Sequence, residues 1–200
     1  MLPIGSKYKI ARRLGPVFEK TQGQKFALRE QRRKMKTRRR RNVSEYGKQL
    51  LEKQKLRLTY GLKEKKLVSY VNEALSNKSD TNNHLYQVLE TRLDSVAYRA
   101  GFASTRRMAR QLVSHGHVTL NGRKNNVPSA RISAGDVVAI RKQSAEKTVF
   151  AHLGDFYKTY KSPAWVKIDS KALSATIAEL PVLGPASGFD FKKIIEFYTR

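Results

Sequence analysis

The chain contains no cysteine, which excludes disulfide bonds and thiolate-ligated zinc. It has only four histidines, and none of them stands in the HExxH spacing of a metal-assisted hydrolase. Acidic residues are scarce, with 16 Asp and Glu against 41 Lys and Arg. No apolar run approaches the roughly 20 residues that a membrane-spanning helix needs. The N-terminus is basic but lacks the apolar stretch of a secretory signal. A basic, acid-poor start is also a property of organellar transit peptides, so a bacterial cytoplasm and an organelle both stay open. The absences together point to a soluble chain of a reducing compartment that carries no metal or cofactor.

What is present is positive charge. The formal net charge is +25 over 200 residues, and apolar residues make up 40% of the chain, enough to build a core. A folded chain so charged repels itself unless a polyanion neutralises it, and nucleic acid is the commonest such partner. An anionic membrane surface is the rival partner class. The charge is concentrated rather than spread. Residues 1–41 hold 15 basic and 2 acidic side chains, and residues 91–150 hold 11 and 3. Residues 42–90 and 151–200 are nearly balanced.

Residues 1–43 show no sustained apolar period and contain the run Arg38-Arg39-Arg40-Arg41. They read as a basic extension that orders on a polyanion. Ser44 is placed to cap a helix reaching about Tyr60, with Leu50, Leu51, Gln54 and Leu58 at helical spacing. Lys48, Lys53, Lys55 and Arg57 lie among them as candidate RNA contacts. A second helix follows Gly61, with Leu67, Val68, Val71 and Leu75 as its stripe. A third starts near His84, with Leu85, Val88 and Leu89 inward.

The densest signal lies between residues 91 and 140. Ser104 or Thr105 caps a helix running to about Ser114, and Gly116 stops it in a left-handed conformation. Arg106 and Arg110 share one face of that helix and Arg107 flanks them. Arginine suits phosphate because its planar fork donates hydrogen bonds in pairs. Gln111 and Ser114 add neutral donors, and no nearby acidic residue balances the arginines. Val118-Thr119-Leu120 reads as a strand, Asn121-Gly122 as a tight hairpin turn, and Val137–Ile140 as a further strand. His115, His117, Asn121, Arg123 and Lys124 extend the basic surface toward the hairpin. A basic helix rigidly beside a basic hairpin suits folded RNA. Neither histidine stands near a nucleophile or a carboxylate cluster, so no catalytic role is assigned. Arg92 and Asp94 sit among apolar residues and read as structural, Asp94 either pairing locally or capping a turn, with no direct RNA role. Tyr46, Tyr60, Tyr98 and Phe102 have apolar spacings that favour the core over base stacking. Trp165–Ile168 looks like a short strand, and Asp190 caps a final helix bearing Ile194, Ile195 and Tyr198. Residues 142–162 and 170–188 carry little signal.

At these residues the chain resembles the small-subunit ribosomal protein four (S-four) family in its bacterial and organellar form. The likeness runs through Ser44-Glu45-Tyr46-Gly47, Glu52-Lys53-Gln54-Lys55 and Tyr60-Gly61. It continues in Arg92-Leu93-Asp94, Gly101-Phe102-Ala103, the segment Ala109–Gly116, Asn121-Gly122-Arg123 and Gly135-Asp136. It ends in Pro163-Ala164-Trp165 and Ile194–Tyr198. The module alone also occurs in RNA-modifying enzymes, but residues 44–90 and the terminal helix point to the ribosomal protein.

The resemblance implies an α+β protein whose helical domain, residues 44–90 and 188–200, is interrupted by an α+β domain at 91–187. The RNA-binding module would occupy about 91–150 and the basic extension 1–43. It implies a ribosome-bound, non-enzymatic protein that binds the 5′ region of small-subunit (16S-type) ribosomal RNA early in assembly. Ribosomal proteins five and three and messenger RNA at the entrance are the implied partners, with an influence on decoding accuracy. Some members repress their own messenger RNA. Some carry a four-cysteine zinc knot at the N-terminus; this chain resembles the zinc-free form, with the arginine run as the organiser of that segment on RNA.

Overall fold

The computed structural model describes residues 5–15, 17–18, 21, 23–36, 43–77, 80–151, 153–184 and 187–199. Its helices are α1 (Lys7–Leu14), α2 (Gln24–Lys36), α3 (Glu45–Thr59), α4 (Glu64–Ser76), α5 (Thr81–Glu90), α6 (Leu93–Arg99), α7 (Arg106–Ser114), α8 (Lys142–Ala145), α9 (Leu153–Thr159) and α10 (Phe191–Tyr198). Its strands are β1 (Val118–Leu120), β2 (Arg123–Lys124), β3 (Val137–Ile140), β4 (Val166–Asp169) and β5 (Ser174–Ile177). The fold is α+β. The chain divides into two compact units, Met1–Leu85 with Gly184–Arg200, and Tyr86–Leu183.

In the first unit α10 packs along α3 and also meets α4. The Ser44 hydroxyl accepts the Gly47 N–H at 3.2 Å to start α3, and the Asp190 carboxylate accepts the Lys193 N–H at 3.1 Å to start α10. The buried side of α3 is Gln49, Lys53 and Leu56, followed by Tyr60. The leucine spacing predicts a different stripe. Polar side chains can take the inner side because α10 supplies partners: Gln49 donates to Glu196 at 3.0 Å, and Lys53 lies over the Phe197 ring. The Gln49 amide N–H and the Lys53 ammonium are satisfied inside in this way, while the Gln49 side-chain carbonyl finds no partner among the described residues. On α4 the stripe is Leu67, Tyr70, Val71 and Ala74, and Leu75 is exposed.

The described residues between 5 and 36 are more ordered than their sequence pattern predicts. Two helices form there, α1 meets α3, and Ala11, Val17, Phe18 and Thr21 are buried. Short helices with a narrow apolar contact leave little period to read. The Arg38–Arg41 run lies outside the described residues.

The second unit is a five-stranded antiparallel sheet in the order β2-β1-β3-β5-β4. Val118 faces Ile140, Leu120 faces Val138, and Val138 faces Ala175 across the strands. With Val166 and Ile177 they form one inward row that shares a core with Leu93, Val96 and Ala97 of α6 and Ala109, Leu112 and Val113 of α7. That is the period-two alternation of a sheet covered on one face. The stretches with little sequence signal hold α8, α9 and β5. Strand β5 places only Ala175 and Ile177 inward, too short an alternation to stand out.

Gly101 sits at φ +75, where a Cβ would come within 2.9 Å of Phe156 and 3.2 Å of Tyr157 and Tyr160. Those rings cannot easily retreat, because the Tyr157 and Tyr160 hydroxyls donate to the Ala100 and Arg99 carbonyls, each at 3.0 Å. Gly101→Ala is therefore expected to cost about 2–4 kcal/mol, left-handed strain plus overpacking. Gly122→Ala, at φ +78 with open space around it, should cost only about 1–2 kcal/mol. Urea unfolding followed by the fluorescence of Trp165, the single tryptophan, compares them; equal losses would refute the packing argument.

Candidate nucleic-acid interface

The helix α7 and the β1–β2 hairpin form a local assembly built from short-range signals. The Thr105 hydroxyl accepts the Met108 N–H at 3.1 Å and sets the start of α7. Its buried side is Ala109, Leu112 and Val113, so Arg107, Gln111 and Ser114 fall on the opposite side, with Gln111 and Ser114 exposed. Gly116, at φ +69, ends the helix. A Cβ at Gly116 would collide with the Lys124 side chain, so the lysine of the hairpin lies directly against the end of α7. Asn121 and Gly122 both take positive φ, which turns the chain in two residues and pairs Leu120 with Arg123 and Thr119 with Lys124. Arg123 and Lys124 stand exposed on the sheet edge, where charge also discourages strand-to-strand association.

The two arginines expected to share a phosphate-facing side have different surroundings. Arg106 points inward. Its guanidinium donates to Glu90 at 2.8 Å and to Ser95 at 3.3 Å and lies 4.7 Å from the centre of the Tyr98 ring. Glu90 is fully buried and also receives a two-pronged contact from Arg99 at 2.7 and 2.9 Å. Arg110 is partly exposed and stands 3.7 Å from Asp94, which is itself gripped by the buried Arg92 at 2.6 and 2.9 Å. Acidic partners for α7 thus exist, supplied by α5 and α6 rather than by α7 itself. Of the two structural roles open to Asp94, local pairing is the one present, and Arg92 is its partner.

Ser114 donates its hydroxyl to the Arg110 carbonyl at 2.8 Å. The Asn121 side chain donates to Asp136 and accepts from the Val137 N–H, both at 2.8 Å, so it clamps the turn to β3. His115 is exposed. His117 is half-buried, 2.9 Å from the Ser144 hydroxyl and edge-on to Phe150. Burial, then Lys147, His115 and Arg141, hold its pKa below the usual imidazole value, so it stays neutral at physiological pH. Lys147 and Arg141 are two cations near this surface that sequence reading did not single out. Arg141 is brought there by the bond from its N–H to the His117 carbonyl, a contact that no local pattern announces.

The α3 cations belong to the first unit and are bound there by protein partners. Lys48 contacts Glu45 at 2.5 Å. Lys53 donates to Glu64 at 2.6 Å and Arg57 to the same carboxylate at 3.3 Å. Burial pushes the Glu64 pKa up, but hydrogen bonds from Lys53 and Tyr198 outweigh it, and the net shift is downward. Lys55 donates to the Gly188 carbonyl at 2.6 Å and lies 3.6 Å from Glu52. Tyr60 and Phe102 are buried and Tyr46 is exposed. Among the described residues no group of three or more His, Asp or Glu could hold a metal, and no helix is long and apolar enough to cross a membrane.

Comparison with known proteins bears on both units. A family model described as the S4 domain matches residues 91–138, and one described as the ribosomal protein S4/S9 N-terminal domain matches residues 4–90. The small ribosomal subunit protein uS4 of a Roseiflexus species is 44% identical over 165 residues, covering 81% of this chain and 80% of the relative. That of Chloroflexus aurantiacus is 42% identical over the same span and coverage. That of Cupriavidus necator is 44% identical over 159 residues, 79% of this chain and 77% of the relative.

Proposed function

The chain belongs to the ribosomal protein S4 family, and on that premise we propose that it is a structural, non-enzymatic protein of the small ribosomal subunit that grips the 5′ region of small-subunit ribosomal RNA. The observation that carries the reading is the cationic assembly of Arg107, Arg110, Arg123 and Lys124 on α7 and its adjoining hairpin, inside the segment that matches the S4 domain. These side chains ride on short rigid elements tied together at Gly116 and Lys124, so their spacing is set before RNA arrives. A preset array of donors matches a folded RNA shape and spends little ordering entropy on binding.

Arg106, Lys53 and Arg57 enter the reading as supports that hold helices in place, since each donates a hydrogen bond to a carboxylate on another helix. Lys48, Lys55, Gln111, Ser114, His115 and the Arg38–Arg41 run complete the proposed contact set. Asn121 shapes the hairpin, and neutral His117 braces its base. The proposed division into a helical domain at 44–90 with 188–200 and an inserted domain at 91–187 is supported by the two compact units.

The reading extends to early binding in subunit assembly, to neighbours among ribosomal proteins five and three, and to the messenger RNA entrance and decoding accuracy. These follow from the family resemblance. Crosslinking in cells, with sequencing of the RNA bound to the tagged protein, tests the core of it. Crosslinks concentrated in the 5′ region of small-subunit ribosomal RNA are expected. Crosslinks spread over transfer RNA or unrelated messenger RNA would move the chain to a modifying or regulatory role.

A further inference from the structure

An open cleft of about 580 Å³ lies on the N-terminal helices, lined by Tyr8 and Arg12 of α1 and by Lys25, Phe26, Arg29 and Glu30 of α2. Its volume falls in the range of about 300–1,000 Å³ typical of ligand pockets. We infer that this cleft receives one unstacked nucleobase of an RNA strand, with the flanking phosphates held by Lys25 and Arg29. The inference rests on the RNA-binding reading above and names a second contact, remote in sequence from α7 and the hairpin.

Three observations carry it. The Tyr8 and Phe26 rings lie 6.0 Å apart, tilted by 34°, and Tyr8 is 51% exposed. A large ring left half in water beside another ring is an apolar platform that none of the described residues covers. Lys25 and Arg29 are exposed and stand one turn apart on α2, the i, i+4 relation that places two side chains on one face. Three cations therefore line the cleft against one carboxylate, Glu30, which Arg12 holds at 3.5 Å. An aromatic platform flanked by cations is how single-stranded bases are held, because every base has a π-face and carries a phosphate on each side. A paired, stacked base has no free face to offer, so the occupant is an unpaired one. An acidic peptide would satisfy the cations but leave the rings uncovered.

The test uses the full chain and a transcript of the 5′ region of small-subunit ribosomal RNA, irradiated with ultraviolet light, with nucleotide-bearing peptides mapped by mass spectrometry. Adducts are expected on the peptides containing Tyr8 or Phe26. Tyr8→Ala should weaken binding of the transcript by about tenfold without changing the salt slope, and Tyr8→Phe should bind as the parent does. If the parent binds the transcript but these peptides carry no adduct and Tyr8→Ala binds equally well, the cleft inference is overturned and the functional reading stands. If the parent does not bind the transcript, both fall. Should Tyr8→Ala fail to fold, adduct mapping on the parent protein decides alone.

Discussion

Replacing Glu90 by alanine is expected to destabilise the unit spanning Tyr86–Leu183 by about 3–5 kcal/mol, the cost of stranding a buried charge partner. Glu90 is fully buried at the end of α5 and holds three guanidinium contacts at 2.7–2.9 Å, two from Arg99 and one from Arg106. Its removal leaves the Arg106 side chain, only 12% exposed, without its carboxylate, and desolvated cations are costly. Glu90→Gln keeps one acceptor but turns an amide donor toward donors, so an intermediate loss of about 2 kcal/mol is expected. Arg106→Ala should cost less than Glu90→Ala, because Arg99 still closes on the carboxylate from two sides. Urea unfolding monitored at Trp165 reads all three, and the midpoint should fall with the slope unchanged. A Glu90→Ala loss below about 1 kcal/mol would show that water enters the site and that the pairs are worth only surface values.

The same network explains what could and could not be read from the sequence. Helix starts at Ser44 and Asp190, the start of α7 to within Ser104 or Thr105, the Gly116 stop and the Asn121-Gly122 turn were legible because each depends on chemistry within about four residues. Strand β3 was legible because the apolar run Val137-Val138-Ala139-Ile140 directly follows the Gly135-Asp136 turn. The order of α1 and α2 was not, because their buried contacts are few and the segment is dominated by charge. Within the candidate surface, pattern located α7 but not the direction of each arginine. Arg106 and Arg107 differ by one position, about 100° of helix turn, and which of them turns inward is decided by Glu90, 16 residues away in sequence. Periodicity carries no information about such a partner. Lys53 is the parallel case on α3: a cation among leucines reads as surface, yet Glu64 and the α10 rings let it be buried.

This distinction leads to the second large effect. Arg107→Ala combined with Arg110→Ala and Arg123→Ala is expected to lower the salt dependence of ribosomal RNA binding by about two to three phosphate equivalents. Between low and physiological salt the parent protein would then lose about 30-fold more affinity than the variant does. Stability should change little, because Arg123 is exposed on an edge strand and Arg110 stands 3.7 Å from a carboxylate that Arg92 already holds. Arg106→Ala should give the opposite profile: a measurable loss of stability with a salt slope close to that of the parent. Binding measured across a salt series, beside an unfolding curve for each variant, separates the two roles. If Arg106→Ala lowers the slope and the triple variant does not, the phosphate-facing side of α7 is the one that its buried ion pair argues against. The contact set would then have to be rebuilt around a helix that exchanges Glu90 for RNA on binding.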